Sequence, residues 1–112
     1  MANIFNRKLS NSVGTANTII GSYTTGAGVR TVIIGLTIAN TSAASITASI
    51  MFSDNTAGNT YIVKDAPVPA GGSLVAVGGD QKIVLTEGDK IMVRSSAASS
   101  LDAIMSILEQ TP

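Results

Sequence analysis

Asp54, Asp65, Asp80, Glu87, Asp89, Asp102 and Glu109 are the carboxylates of this 112-residue chain, and acid–base or metal chemistry would have to run through them. The sequence contains no histidine and no cysteine. Their absence removes the commonest general base, the commonest nucleophile and the usual transition-metal ligands. A Ser/His/Asp triad and an ordinary zinc site are therefore excluded. Two carboxylates alone suffice to hydrolyse a glycoside. A sugar site would normally add aromatic platforms, and the only aromatics are Phe5, Phe52, Tyr23 and Tyr61. Asp54, Asp65, Asp80, Glu87 and Asp89 fall in or beside predicted turns, where carboxylates cap backbone amides. No enzymatic activity and no cofactor are expected. Calcium is the remaining ligand to weigh, because it takes oxygen donors and Asp80, Glu87 and Asp89 lie on loops that could meet at one end of a sandwich. Their spacing matches no EF-hand, and exposed turn acids are the simpler reading.

Gly71-Gly72 and Gly78-Gly79 raise a second chemical question, since glycine-rich backbone can cradle a phosphate. A P-loop needs a following helix and a Gly-Lys-Ser/Thr ending. Here "GGSLVAV" and "GGDQKIVL" each run into a strand-like stretch without that ending. These glycines, with the Glu87-Gly88-Asp89 stretch, read as the corners of antiparallel hairpins. Lys64, Lys82, Lys90 and Arg94 lie in predicted strands among acids and read as solvated side chains. Asn40-Thr41-Ser42 matches a glycosylation acceptor, a short pattern that needs a secretory route to mean anything.

The elements that must position these residues are strands. In "VRTVIIGLTIAN", period-two alternation puts Val32, Ile34, Leu36 and Ile38 on one face. In "ASITASIMFSD", Ile46, Ala48, Ile50 and Phe52 share a face, opposite Thr47, Ser49, Met51 and Ser53. Residues 40–43 form the turn between these two runs. "TYIVKD" follows as a third strand, and Pro67 and Pro69 place residues 66–70 at an edge or in a connection. "SLVAV", "QKIVLT" and "DKIMVRSS" recur at the spacing of a sandwich or barrel. "SLDAIMSILE" fits a strand through Leu101, Ala103, Met105 and Ile107, and a helix less well. "NTIIGSYT" reads as a further strand. The expected fold is all-β: an antiparallel sandwich of about eight strands, jelly-roll or immunoglobulin-like.

Residues 15–112 form a single domain in this reading, preceded by residues 1–14 as either an arm or the first strand. Ile4, Phe5, Arg7, Lys8 and Leu9 are the candidate partner-binding residues of that arm. The chain is short of charge: 12% of residues, with seven basic and seven acidic side chains that cancel. That neutrality gives no electrostatic reason to bind nucleic acid or an anionic membrane. A surface of small uncharged residues suits packing against other protein. There is no long apolar run of membrane-spanning length, and the N-terminus lacks an apolar leader core, so neither a span nor a secretory signal is expected.

The run "TVIIGLTIANTSAASITASIMF", followed by "YIVKDAPVPAGGSLVAVGGDQKIVLTEGDKIMVRSSAASSLDAIMSILE", resembles the small all-β virion proteins of tailed bacteriophages. The likeness lies in the Ala-Asn-Thr turn, the Tyr-containing strand, the Pro-Ala-Gly-Gly-Ser connection, the Gly-Asp-Lys turn and the Ser/Ala-rich closing strand. It covers residues 29–109 and leaves out the first 28. The resemblance implies a non-enzymatic building block in many symmetric copies, partnered by other virion proteins and by itself. It implies a place in the virion after assembly in the host cytoplasm. Head-decoration (cement) subunits and neck or tail components both belong to that group. A calcium- or carbohydrate-binding module on a fibre is the alternative of another class.

Overall fold

The computed structural model describes residues 2–54, 58–78 and 82–111. Its strands are β1 (Ala2–Val13), β2 (Thr18–Ile19), β3 (Arg30–Asn40), β4 (Ile46–Ser53), β5 (Asn59–Val68), β6 (Ser73–Val77), β7 (Ile83–Leu85), β8 (Lys90–Ser95) and β9 (Leu101–Thr111). They form two antiparallel sheets. One runs β1-β9-β3-β6 with β7 also beside β3, and the other runs β2-β8-β4-β5. The pairs β1–β9, β2–β8, β3–β6 and β4–β5 are nested one inside the next, as in a long hairpin ribbon. Pairing of β9 with β3 and of β8 with β4 rolls that ribbon into a sandwich. This is the jelly-roll order, the first of the two layouts read from the sequence.

Alternation decides which side chains enter the space between the sheets. Leu101, Ala103, Met105 and Ile107 of β9 are all buried, so the closing segment is a strand. Ile46, Ala48 and Ile50 of β4 are buried against them, and Phe52 packs on the rim of the same core. In β3 the expected face is broken. Ile33 pairs with Ile107 and Gly35 with Ser106, so Ile34 is an extra residue, a β-bulge. The bulge reverses the inside–outside parity of the strand. Thr31 and Ile33 point inward before it and Leu36 and Ile38 after it, while Val32 and Ile34 are only half-buried. The core face of this strand is thus Ile33, Leu36 and Ile38.

"NTIIGSYT" also departs from expectation. Only Thr18 and Ile19 pair as a strand, and the chain then turns through a short 3-10 segment at Ile20–Ser22. Gly21 and Ser22 have φ of 61° and 54°, which ends the extended run. Ile20 alone is driven into the core. Pro67 lies in β5, an outer strand of its sheet, where a missing N–H leaves no ladder bond unmade.

Asn40 ties two corners together. Its Nδ2 donates to the carbonyls of Ala44, Val68 and Pro69 at 2.8, 3.1 and 3.2 Å, and its Oδ1 accepts from the Ser42 amide and hydroxyl. A buried amide committed in this way is a structural latch, and the Asn-Thr-Ser pattern is not an accessible acceptor.

The Gly71-Gly72 pair forms a turn, closed by the Gly72 amide donating to the Pro69 carbonyl at 2.8 Å, and runs into β6. The Gly78-Gly79-Asp80 corner extends outside the described residues. At the third corner the Asp89 amide donates to the Thr86 carbonyl at 2.9 Å, and Gly88 has φ of 84°. An L side chain there meets the steric cost of the left-handed region. Gly88→Val is expected to lower stability by more than about 1 kcal/mol, whereas Glu87→Ala, at an exposed position, should be nearly neutral. Thermal melts of the two variants check this, and equal losses would count against the turn.

Candidate interaction surface

Three of the carboxylates, Asp54, Asp65 and Asp89, hold hydroxyl and amide groups of their own turns and strands. Asp89 Oδ2 accepts from the Thr86 amide at 2.8 Å and its hydroxyl at 3.0 Å, bracing the last corner. Asp54 caps the Gly58 amide at 3.0 Å. Asp65 accepts from the Ser49 hydroxyl at 3.2 Å, and Ser49 in turn accepts from the Asp65 amide at 2.9 Å. Among the described residues no three acidic side chains gather as a cation site. Of the calcium candidates, Asp80 lies outside the described residues and Glu87 is exposed on its turn. Lys64 and Arg94 flank Tyr61 at 5.4 and 5.9 Å from its ring centroid, and Arg94 Nη2 donates to the Tyr61 hydroxyl at 3.3 Å.

What the surface does offer is apolar area, and it is concentrated at β1 and the sheet behind it. β1 pairs with β9 from Ala2↔Thr111 to Val13↔Leu101, with a register shift between Ser10 and Val13. β1 ends the order of its sheet, so one whole side of its backbone faces outward. Such an edge is a template for another strand. The five arm candidates fall on this strand in two sets. Ile4 and Lys8 lie on the side toward the second sheet, whereas Phe5, Arg7 and Leu9 lie on the outer face, since side chains alternate. Phe5 is 75% exposed, Leu9 52% and Ile4 48%.

A polar cluster anchors the inner side of β1. The Tyr23 hydroxyl donates to Glu109 Oε2 at 3.0 Å and lies 2.7 Å from Thr31 Oγ1. Asn6 Nδ2 reaches the other Glu109 oxygen at 3.4 Å, and Lys8 Nζ stands 5.0 Å from the centre of the Tyr23 ring. Burial pushes the Tyr23 phenol above its ordinary value of 10.0; the Thr31 hydrogen bond opposes this and Glu109 reinforces it. Further along, Ser10 Oγ accepts from the Gly21 amide at 2.8 Å and Asp102 Oδ1 from the Ser12 amide at 3.0 Å. The Glu109 and Asp102 pairings join residues about ninety or more apart in the chain, so no local pattern marks them.

The outer face of the β1 sheet carries the rest. Val75 is 63% exposed, Val84 51% and Ile104 49%. Register shows how these residues align. Phe5 stands opposite Leu108, Leu108 opposite Val32, and Val32 opposite Val84, an apolar row across β1, β9, β3 and β7. Leu9, Ile104, Thr37 and Val75 make a second row across β1, β9, β3 and β6. A hollow of about 530 Å³ follows the second row, lined by Leu9, Thr37, Ala39, Asp102 and Ile104 among others. The sequence-based reading missed this face, since each of its strands shows only one or two such residues.

No protein-family profile and no curated protein sequence matches the chain. Solved structures do. A Bacillus endospore appendage, a disulfide-linked pilus, superposes with a TM-score of 0.57 at 14% identity, over 97% of this chain and 88% of that one. The acid-stable capsid of Helicobacter pylori bacteriophage KHP30 superposes with a TM-score of 0.55 at 7% identity, over 97% of this chain and 87% of that one. At these identities the likeness is one of fold. It is nearly end to end, so the sandwich described above is the whole of the shared unit.

Proposed function

We propose that this chain is a non-enzymatic structural subunit of a tailed-bacteriophage virion, one that decorates or cements the capsid through protein–protein contacts. Its partners in this reading are other virion proteins and further copies of itself, met in the particle after assembly in the host cytoplasm. Neither nucleic acid, membrane nor cofactor takes part. The observation that carries the reading is the open edge of β1 with Ile4, Phe5 and Leu9 exposed along it. A neighbour's strand laid on that edge would gain main-chain hydrogen bonds, with those side chains excluding water. Arg7 and Lys8 would reach acidic groups at the rim of the contact.

Support comes also from the fold, shared with proteins of a pilus and of a phage capsid. The chain has no cysteine, so the disulfide linkage of the pilus does not come with the likeness. Quantitative mass spectrometry of purified virions is the test, joined to a truncation of residues 2–10. The expected result is hundreds of copies per particle for the full chain and none retained for the truncated one. A count matching a single ring would move the subunit to the neck or tail. Absence from the virion would overturn the proposal.

A further inference from the structure

The outer face of the β1 sheet has a symmetry that names its occupant. Its two apolar rows, through Leu108 and through Ile104, lie on either side of the row in which Ser106 stands opposite Arg7 and Gly35. Each apolar row is two residues from that middle row, so the two are about 13 Å apart. Beyond the Leu108 row comes a polar row holding Arg30 opposite Gln110, and beyond the Ile104 row one holding Asp102 opposite Ala39. The face is thus apolar in the middle, cationic at one end and anionic at the other.

We infer that two copies of this chain pack face to face through this surface, related by a two-fold axis that lies in the interface and crosses the strands at the Ser106 row. That operation lays the Phe5–Leu108 row of one copy on the Leu9–Ile104 row of its partner. Phe5, the most exposed large apolar side chain described, then enters the partner's hollow beside Leu9 and Ile104. The same operation brings each Arg30 to the partner's Asp102 end, one strand to the side and within reach of its long stem. An axis along the strands would instead set like charge on like charge at both ends. A contact in which each copy offers the same patch closes on itself as a dimer.

Area supports a second copy as the occupant. The five exposed apolar side chains of the face present on the order of 500 Å², at the upper end of what a lone monomer exposes. With half-buried Val32, Ile34 and Leu108 and the polar end rows, the face approaches the roughly 800 Å² per partner of a standard interface. Arg7 stands against it, since the axis brings it toward its own mate at the edge.

This inference rests on the reading of the chain as an assembling subunit, and a charge exchange tests it separately. Arg30→Glu makes both end contacts repulsive within one variant, and Asp102→Lys does so within the other. Mixed, the two variants become complementary at both ends. In sedimentation velocity across the micromolar range, the full chain is expected to be a dimer, each variant a monomer, and the mixture a dimer again. Ile104→Lys should give a monomer with an unchanged melting temperature, and it tests the face by itself should loss of the Ser12 contact unfold Asp102→Lys. Arg7→Ser should tighten the dimer. A monomeric full chain, or a mixture that associates no better than its components, overturns the inference. Particle binding by such a monomer would leave the proposed function standing, whereas a dimer absent from virions would remove that function and leave the dimer.

Discussion

Replacing Ile33 with alanine is expected to lower stability by about 2–5 kcal/mol, while the same change at its neighbour Ile34 should cost about 1 kcal/mol or less. The two residues have the same side chain and adjacent places in one strand. They differ in what the bulge does to them. Ile33 has no exposed surface and sits opposite Ile107, also fully buried, so truncation leaves a cavity between the sheets. Ile34 is the bulged residue and turns to the opposite side, where it lines a shallow groove with Phe5, Arg7 and Ser106. Truncation there removes half-covered surface and opens no void. Urea unfolding of both variants checks this, read as midpoint shifts at constant slope. Ile50→Ala serves as the reference, since Ile50 is fully buried in the other sheet. Equal losses at positions 33 and 34 would mean that the strand keeps a regular alternation in solution.

Gly21→Ala is expected to cost more than about 2 kcal/mol and to loosen β1 selectively. Two effects add at this position. Gly21 has φ of 61°, in the left-handed region that an L side chain adopts only at a cost. A Cβ placed on it would stand 2.7 Å from Lys8 Cβ and 3.1 Å from the Leu9 nitrogen. Backbone on the β1 side would have to move, and the 2.8 Å bond from the Gly21 amide to Ser10 Oγ would go with it. Gly71 provides the control: its φ is 71°, yet a Cβ there meets nothing within 4 Å. Gly71→Ala therefore carries the conformational cost alone. Hydrogen exchange should show the amides of residues 7–10 losing protection in Gly21→Ala while β4 and β8 keep theirs. The same stability loss at both glycines, with β1 still protected, would show that the close approach does not hold β1.

Local patterning determined much of this protein. Apolar alternation made the β3, β4 and β9 stretches strands, because a residue's neighbours two along share its face whatever strand lies beside it. Pro67 and Pro69 marked residues 66–70 as an edge or a connection, and glycine between Glu87 and Asp89 marked a corner, again for reasons contained in a few residues. The want of histidine and cysteine was likewise readable at once, and Asp54 and Asp89 brace turns, as their places in the sequence suggested. Only the tertiary structure decided the rest. The bulge at Ile34 exists because β3 must match β9 on both sides of it, so the parity of the core depended on a strand about seventy residues away. "NTIIGSYT" alternates well enough for a strand, yet Ile20 is worth more in the core than in a ladder, and the chain turns at Gly21 to put it there. Partner choice decided the interaction surface as well. Phe5, Val84, Ile104 and Val75 lie in four separate stretches of the sequence, and they become a continuous face because nested long-range pairing brings those stretches side by side.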